Sequence, residues 1–81
     1  MNDRESILAE VQRILCETFN FAIDDVTEDK NLFTDLDLDS LDAVDMASEL
    51  SAKTGAKFSN EDLRQIRTVA DVADAILNKL R

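Results

Sequence analysis

Apolar positions recur at helical spacing over most of this 81-residue chain. Near its start, a repeat every three or four residues predicts a first helix over residues 3–19. The apolar positions of this repeat are Ile7, Leu8, Val11, Ile14 and Leu15. Asn2 and Glu5 have the spacing of a capping box, in which two side chains bind the free backbone N–H groups that open a helix. Residues 20–38 lack the repeat and predict a long connection, with Thr34 starting a single helical turn inside it.

Helical spacing returns after an acidic stretch in which aspartate and leucine alternate. The second helix is expected from Ser40 to about Lys53, because Gly55, the only glycine, suits the left-handed cap that ends many helices. Either Asp39 or Ser40 begins this helix and can cap its first free amides. The helix carries an apolar face and an acidic stripe formed by Asp42, Asp45 and Glu49.

Two further helices follow the glycine. Ser59 and Asp62 have capping-box spacing and predict a short third helix that ends near Ile66. Thr68 and Asp71 repeat this spacing and open a fourth helix that continues to the end of the chain. Its apolar positions form one continuous stripe: Val69, Val72, Ala73, Ile76 and Leu80.

The predicted fold class is therefore all-α. The expected architecture is a small four-helix bundle, with three longer helices, a short third helix and a long loop between the first and second helices. We expect a single domain over residues 1–81. The predicted core consists of the following apolar residues: Ile7, Val11, Ile14, Leu15, Phe33, Leu36, Leu50, Phe58, Leu63, Ile66, Val69, Val72 and Ile76.

The net charge of −9 is concentrated in the first part of the chain. Residues 1–49 hold 14 acidic and 3 basic side chains, whereas residues 50–81 hold 4 acidic and 6 basic ones. This distribution argues against nucleic acids and anionic membranes as partners, since both are negatively charged. It favours partner proteins that present lysine and arginine patches.

The single cysteine, Cys16, allows no intrachain disulfide and favours a reducing compartment. Acidic residues at the N-terminus argue against a signal peptide, and the sequence contains no apolar run long enough for membrane insertion. We therefore expect a cytoplasmic protein, and we expect it to be a monomer.

Ser40 is the main candidate for chemistry, because the start of a helix favours a negative charge on or near its hydroxyl. The chain has no histidine, and its lysines are remote from Ser40 in the sequence, so Ser40 is a poor catalytic nucleophile. The hydroxyl is better interpreted as an acceptor that another protein modifies. This favours a carrier or interaction protein over an enzyme.

The acidic stretch also suggests a calcium site, because Asp35, Asp37 and Asp39 match the opening of an EF-hand loop. Such a loop needs glycine at its sixth position and glutamate at its twelfth. Ser40 and Met46 occupy those positions, so we assign no metal site. Weak, nonspecific binding of divalent cations to the acidic loop stays open.

Two segments resemble the acyl carrier protein family. These are residues 36–42, which read Leu-Asp-Leu-Asp-Ser-Leu-Asp, and residues 66–72, which read Ile-Arg-Thr-Val-Ala-Asp-Val. The resemblance covers nearly the whole chain. It implies that a phosphopantetheinyl transferase attaches 4′-phosphopantetheine from coenzyme A to Ser40, and that the arm then carries acyl groups as thioesters. The implied setting is fatty-acid, polyketide or related biosynthesis.

The resemblance also implies a docking surface on the second helix for acyl-loading and acyl-processing enzymes with basic patches. The residues it assigns to partner contact are Asp39, Leu41, Asp42, Val44 and Asp45. It further implies an apolar space between helices that can shelter an acyl chain, lined by Met46, Ala47, Leu50, Phe58, Leu63 and Ile66. The alternative is an acidic interaction module that never receives the arm.

The chain departs from the family pattern in three ways. Asp37 stands where many members have glycine. Second-helix positions that are often acidic in the family hold Ser51, Ala52 and Lys53, and the region that follows is made basic by Lys57, Arg64 and Arg67. Enzymes that contact an acidic second helix along its length would lose contacts here, which favours a specialised carrier over a housekeeping one. A housekeeping malonyl transferase should then load this protein more slowly than it loads a general carrier.

Overall fold

A computed structural model describes residues 3–80 of the chain. These residues form four α-helices and one short 3-10 helix. In chain order they are α1 (Arg4–Phe19), the 3-10 helix (Ile23–Asp25), α2 (Ser40–Thr54), α3 (Asn60–Gln65) and α4 (Val69–Leu80). The predicted helical bundle, with a short third helix and a long loop after the first, is confirmed.

The cap of α1 differs from the predicted one. The side chain of Asp3 accepts a hydrogen bond of 2.7 Å from the backbone N–H of Ser6 and caps the helix. The predicted box of Asn2 and Glu5 placed the cap one residue too early, because a short carboxylate at position 3 reaches the free amide of Ser6. Asn2 itself lies outside the described residues.

The remaining helix ends follow the predicted signals. Gly55 adopts a left-handed conformation, with φ at 82°, and ends α2. Ser59 and Asp62 form a reciprocal capping box at α3. Thr68 and Asp71 exchange two hydrogen bonds of 3.1 Å at the start of α4, each from one backbone N–H to the other side chain. These local bonds satisfy amides that a helix cannot pair internally.

Helix α1 packs against both α4 and α2, and the core lies between these three helices. All predicted core residues are buried except Phe33, Phe58 and Leu63, which are half-buried and pack against the core. The prediction omitted several buried residues: Val26, Leu32, Leu38, Ala43, Met46, Ala47, Ala56 and Ala73. None of the described helices has the length and apolar character needed to cross a membrane.

The long loop is fixed to the start of α4 by backbone hydrogen bonds. The N–H of Leu32 donates to the carbonyl of Arg67 over 2.8 Å, and the N–H of Val69 donates to the carbonyl of Lys30 over 3.0 Å. The N–H of Ala70 donates to the carbonyl of Glu28 over 2.9 Å. These bonds hold the loop across the junction between α3 and α4.

The helical turn predicted at Thr34 begins earlier, at Asn31. The backbone carbonyl of Asn31 accepts from the N–H of Asp35 over 3.0 Å, which is the bond of a single helical turn. The side-chain oxygen of Asn31 accepts from the N–H groups of Phe33 and Thr34, at 2.9 and 3.0 Å, and caps this turn. The short helix of the loop lies earlier, at Ile23–Asp25.

An ion pair joins α3 to α4. The ammonium of Lys79 lies 2.6 Å from a carboxylate oxygen of Asp62, and it also lies 5.9 Å from the ring centre of Phe58. The hydrogen bond from Lys79, followed by the one from the backbone N–H of Ser59, lowers the pKa of Asp62 from 3.8 to about 2. The ionised carboxylate is therefore favoured in the folded state.

We predict that Asp62 contributes to stability above pH 4 and loses this contribution as the pH falls from about 4 to about 2. A depressed folded-state pKa stabilises the fold only where the unfolded carboxylate would already be ionised. Melting temperatures of the wild type and Asp62→Asn should therefore differ near neutral pH and converge toward pH 2. Asp45→Asn, at an exposed position of α2, is the control. A difference that stays constant down to pH 2 would contradict the assignment.

Candidate functional site

The end of the long loop delivers Ser40 to the start of α2. Leu36 and Leu38 are buried, while Asp35, Asp37 and Asp39 are exposed. The two leucines therefore fix the loop on the core while the carboxylates surround the approach to Ser40.

Asp39 is the capping residue of α2. Its carboxylate accepts a hydrogen bond of 3.0 Å from the N–H of Asp42, and the carboxylate of Asp42 accepts one of 3.1 Å from the N–H of Asp39. The sequence left open whether Asp39 or Ser40 caps the helix, and the structure shows that it is Asp39. Ser40 is thus the first residue of α2, and its hydroxyl is not needed for capping.

Ser40 presents unused hydrogen-bonding groups to solvent. Its side chain is exposed, and its hydroxyl makes no hydrogen bond to any residue in the range 3–80. The N–H groups of Ser40 and Leu41 likewise have no partner within that range. Free amides and the positive end of the helix dipole together favour an anion at this point. The arrangement suits a phosphate ester on the hydroxyl.

An open groove of about 590 Å³ lies beside Ser40, between α2 and α3. Its walls are mainly apolar, and two arginines belong to its lining. The residues of this groove, which we call the Ser40 groove, are Phe33, Ser40, Ala43, Val44, Asn60, Leu63, Arg64 and Arg67. The groove contains no carboxylate or thiol, so its described residues offer a binding surface and no base for Ser40.

A smaller groove of about 240 Å³ continues along α2 and shares Val44, Asn60 and Leu63 with the first. Its other lining residues are Ala47, Ser48, Ser51 and Phe58. Of the residues expected to line a sheltering space, Leu63, Ala47 and Phe58 line these grooves. Met46, Leu50 and Ile66 are buried in the core instead and line neither groove.

The exposed face of α2 combines apolar and acidic side chains. Leu41 is 74% exposed and Val44 is 50% exposed, and Asp45 lies exposed beside them. Asp39 and Asp42 also lie at this end of the helix, where their carboxylates form the capping box. All five residues expected to contact partners are therefore brought together around Ser40.

A family model described as "Phosphopantetheine attachment site" matches residues 9–76. The acyl carrier protein of Coprothermobacter proteolyticus is 42% identical over 78 residues, which make up 96% of this chain and 95% of that protein. The chain belongs to the acyl carrier protein family. Its capped α2 and exposed Ser40 lie inside the matched region.

Solved structures of acyl carrier proteins have the same fold. The protein from Thermotoga maritima aligns with a TM-score of 0.81 at 26% identity, and covers 99% of this chain and 92% of that one. The protein from Enterococcus faecalis aligns with a TM-score of 0.77 at 33% identity, and covers 94% of this chain and 96% of that one. The helical bundle around Ser40 is therefore that of an acyl carrier protein.

The structure explains one departure from the family pattern. Asp37, where many acyl carrier proteins have glycine, has a φ of 59°, in the left-handed region. Glycine adopts this region without strain, and aspartate tolerates it better than most residues do. The aspartate therefore preserves the turn before Ser40 and adds a negative charge.

Sequence reasoning missed the residues that complete the Ser40 groove. Phe33, Ala43 and Asn60 come from the loop, α2 and α3, and only the packing of α3 beside α2 brings them together. Arg64 and Arg67 were noted only as a change in charge. Arg64 lies in the last turn of α3, whereas Arg67 follows the end of that helix, so no helical periodicity links the two arginines in the sequence.

Proposed function

We propose that this acyl carrier protein carries acyl groups on a 4′-phosphopantetheine arm attached to Ser40, and that it is not itself an enzyme. One observation carries the assignment of the residue: the exposed hydroxyl of Ser40, without a hydrogen-bond partner among residues 3–80, lies at the first position of α2 within the matched family region. The proposed setting is fatty-acid, polyketide or related biosynthesis in the cytoplasm.

The residues around Ser40 suit this role. The free N–H groups of Ser40 and Leu41 can donate hydrogen bonds to the oxygens of a phosphodiester. Asp39 caps the helix without using the serine hydroxyl. The arm supplies a thiol that forms thioesters with acyl groups. The chain itself supplies a rigid attachment point and a surface that other enzymes recognise.

The test is the intact mass of the protein after incubation with a broad-specificity phosphopantetheinyl transferase, magnesium and coenzyme A. We expect a gain of one phosphopantetheine unit per chain, located by fragmentation on the peptide that contains Ser40. An acyl transferase should then load the new thiol. If an active control carrier is modified and this folded protein is not, an unmodified interaction module becomes the better proposal.

We propose that the exposed face of α2 is where the transferase and the acyl-loading enzymes dock. Leu41 and Val44 are large apolar side chains left in solvent, and the acidic residues around them complement basic patches on a partner. An apolar centre with a charged rim is the usual arrangement of protein interfaces.

A charge reversal on this face should slow the modification of Ser40. We expect Asp45→Lys to lower the kcat/KM of the transferase by about tenfold at low salt, because steering by opposite charges speeds association. The deficit should shrink as salt is added. Asp24→Lys makes the same change of charge on the 3-10 helix and is the matched control. If kcat/KM falls equally in the two variants, the transferase responds to the net charge of the protein and not to a docking face on α2.

A further inference from the structure

The guanidinium of Arg67 is held at the rim of the Ser40 groove. Its Nη1 donates to the backbone carbonyls of Arg64, over 2.5 Å, and of Ile66, over 3.2 Å. These bonds fix the side chain at the end of α3. Its other N–H groups have no acceptor within the described part of the chain, and no carboxylate there lies within 4.0 Å of it.

This lack of an ion pair sets Arg67 apart from the other described arginines. Arg4 pairs with Glu28 and Asp74 at 3.0 and 2.8 Å, and Arg13 contacts carboxylates of α1. Arg64 has only an exposed contact of 3.3 Å with Glu61 on its own helix. In a protein with a net charge of −9, an arginine without a nearby carboxylate is available for an anion that binds later.

The two grooves define which end of α3 lies near Ser40. Arg64 and Arg67 line the groove that includes Ser40 and are absent from the lining of the second groove. The second groove instead includes Ser48 and Ser51, which lie farther along α2. The C-terminal end of α3 therefore lies beside the N-terminal end of α2, and Arg64 and Arg67 belong to the Ser40 end of the pair of grooves.

A phosphodiester on Ser40 would carry a negative charge into an acidic environment. Asp35, Asp37, Asp39 and Asp42 all belong to the segment that leads into α2 and its first turn. The two free amides at the helix start offset part of this repulsion. Guanidinium groups bind phosphate oxygens through charge-assisted hydrogen bonds. Arg64 and Arg67 are the only cationic residues among those of residues 3–80 that line the Ser40 groove.

We propose that Arg67, with Arg64 beside it, binds the phosphodiester on Ser40 and directs the base of the arm into the Ser40 groove. This inference rests on the proposed attachment of the arm to Ser40. It assigns a phosphate-binding role to two residues outside α2. Enzymes that use the extended arm must break this contact, and higher ionic strength weakens it.

The test compares apo and holo protein, each verified by intact mass, in the wild type and in Arg67→Gln. Attachment of the arm should raise the melting temperature of the wild type by about 2–6 °C at low salt, and high salt should reduce this rise. In Arg67→Gln the rise should vanish or become a decrease. The ³¹P chemical shift of the phosphodiester should also differ between the two holo proteins.

Arg67→Gln also loses bonds to the carbonyls of Arg64 and Ile66, which destabilises apo and holo forms alike, so only the difference between the two forms is informative. Arg13→Gln, which removes an exposed arginine from α1, should keep the wild-type rise. Arg67→Lys keeps the positive charge and should retain part of the rise in melting temperature seen in the wild type.

The outcomes separate the two proposals. A mass gain with the same rise and the same ³¹P shift in the wild type and Arg67→Gln overturns the phosphate contact and leaves the carrier function intact. If attachment of the arm does not raise the melting temperature of the wild type, the proposed phosphate contact is overturned as well. Failure of the wild type to gain the arm overturns both proposals.

Discussion

Ser40→Ala should abolish the gain of phosphopantetheine completely while leaving the fold intact. The hydroxyl of Ser40 is the proposed attachment atom, and it has no hydrogen-bond partner among residues 3–80, so its removal breaks no hydrogen bond in the described structure. Alanine has the highest helix propensity, and Asp39 retains the cap. The melting temperature should therefore stay within about 3 °C of the wild-type value.

Ser48→Ala is the matched control, because Ser48 is also an exposed serine of α2. It should be modified at the wild-type rate. The measurement is intact mass over time with one transferase, together with thermal melting of each apo protein. Modification of Ser40→Ala would show that another side chain accepts the arm, whereas a large loss of stability would show that the hydroxyl has a structural role.

Leu50→Ala should cause a large loss of stability. The side chain of Leu50 is fully buried, so its truncation loses apolar burial and leaves a cavity. Such substitutions cost about 2–5 kcal/mol. A chain of this size has a free energy of unfolding of about 4–12 kcal/mol, so the melting temperature should fall by about 10–25 °C.

Leu41→Ala makes the same chemical change on the same helix and serves as the control. Leu41 is 74% exposed, so the free energy of unfolding should change by less than about 0.5 kcal/mol. Chemical denaturation of the wild type and both variants, fitted with one shared m-value, measures the loss in free energy of unfolding for each substitution. Similar costs for the two leucines would contradict the described packing of α2 against the core.

The ends of the helices could be predicted because the signals that set them are local. Gly55 ends α2 through its own backbone conformation, and Ser59 caps α3 through a residue three positions away. These interactions depend on neighbours in the sequence and little on the rest of the fold. Ser40 could be placed at a helix start for the same reason.

The interior of the long loop could not be predicted in the same way. Val26, Leu32 and Leu38 are buried only because the loop crosses the bundle and pairs with the start of α4. Phe33, by contrast, was expected in the core but lines the Ser40 groove. Hydrophobicity alone identifies residues that prefer burial, but tertiary packing decides which of them obtain it.

The hydrogen bonds between the long loop and the first turn of α4 have a consequence for exchange of amide hydrogens with deuterated water. The amides of Leu32, Val69 and Ala70 cannot exchange until the loop separates from the helix, since each donates across this contact. They should exchange as one cooperative unit, with similar protection factors. The segment leading to Ser40 would then open together with the last helix of the chain, although some thirty residues of sequence separate them.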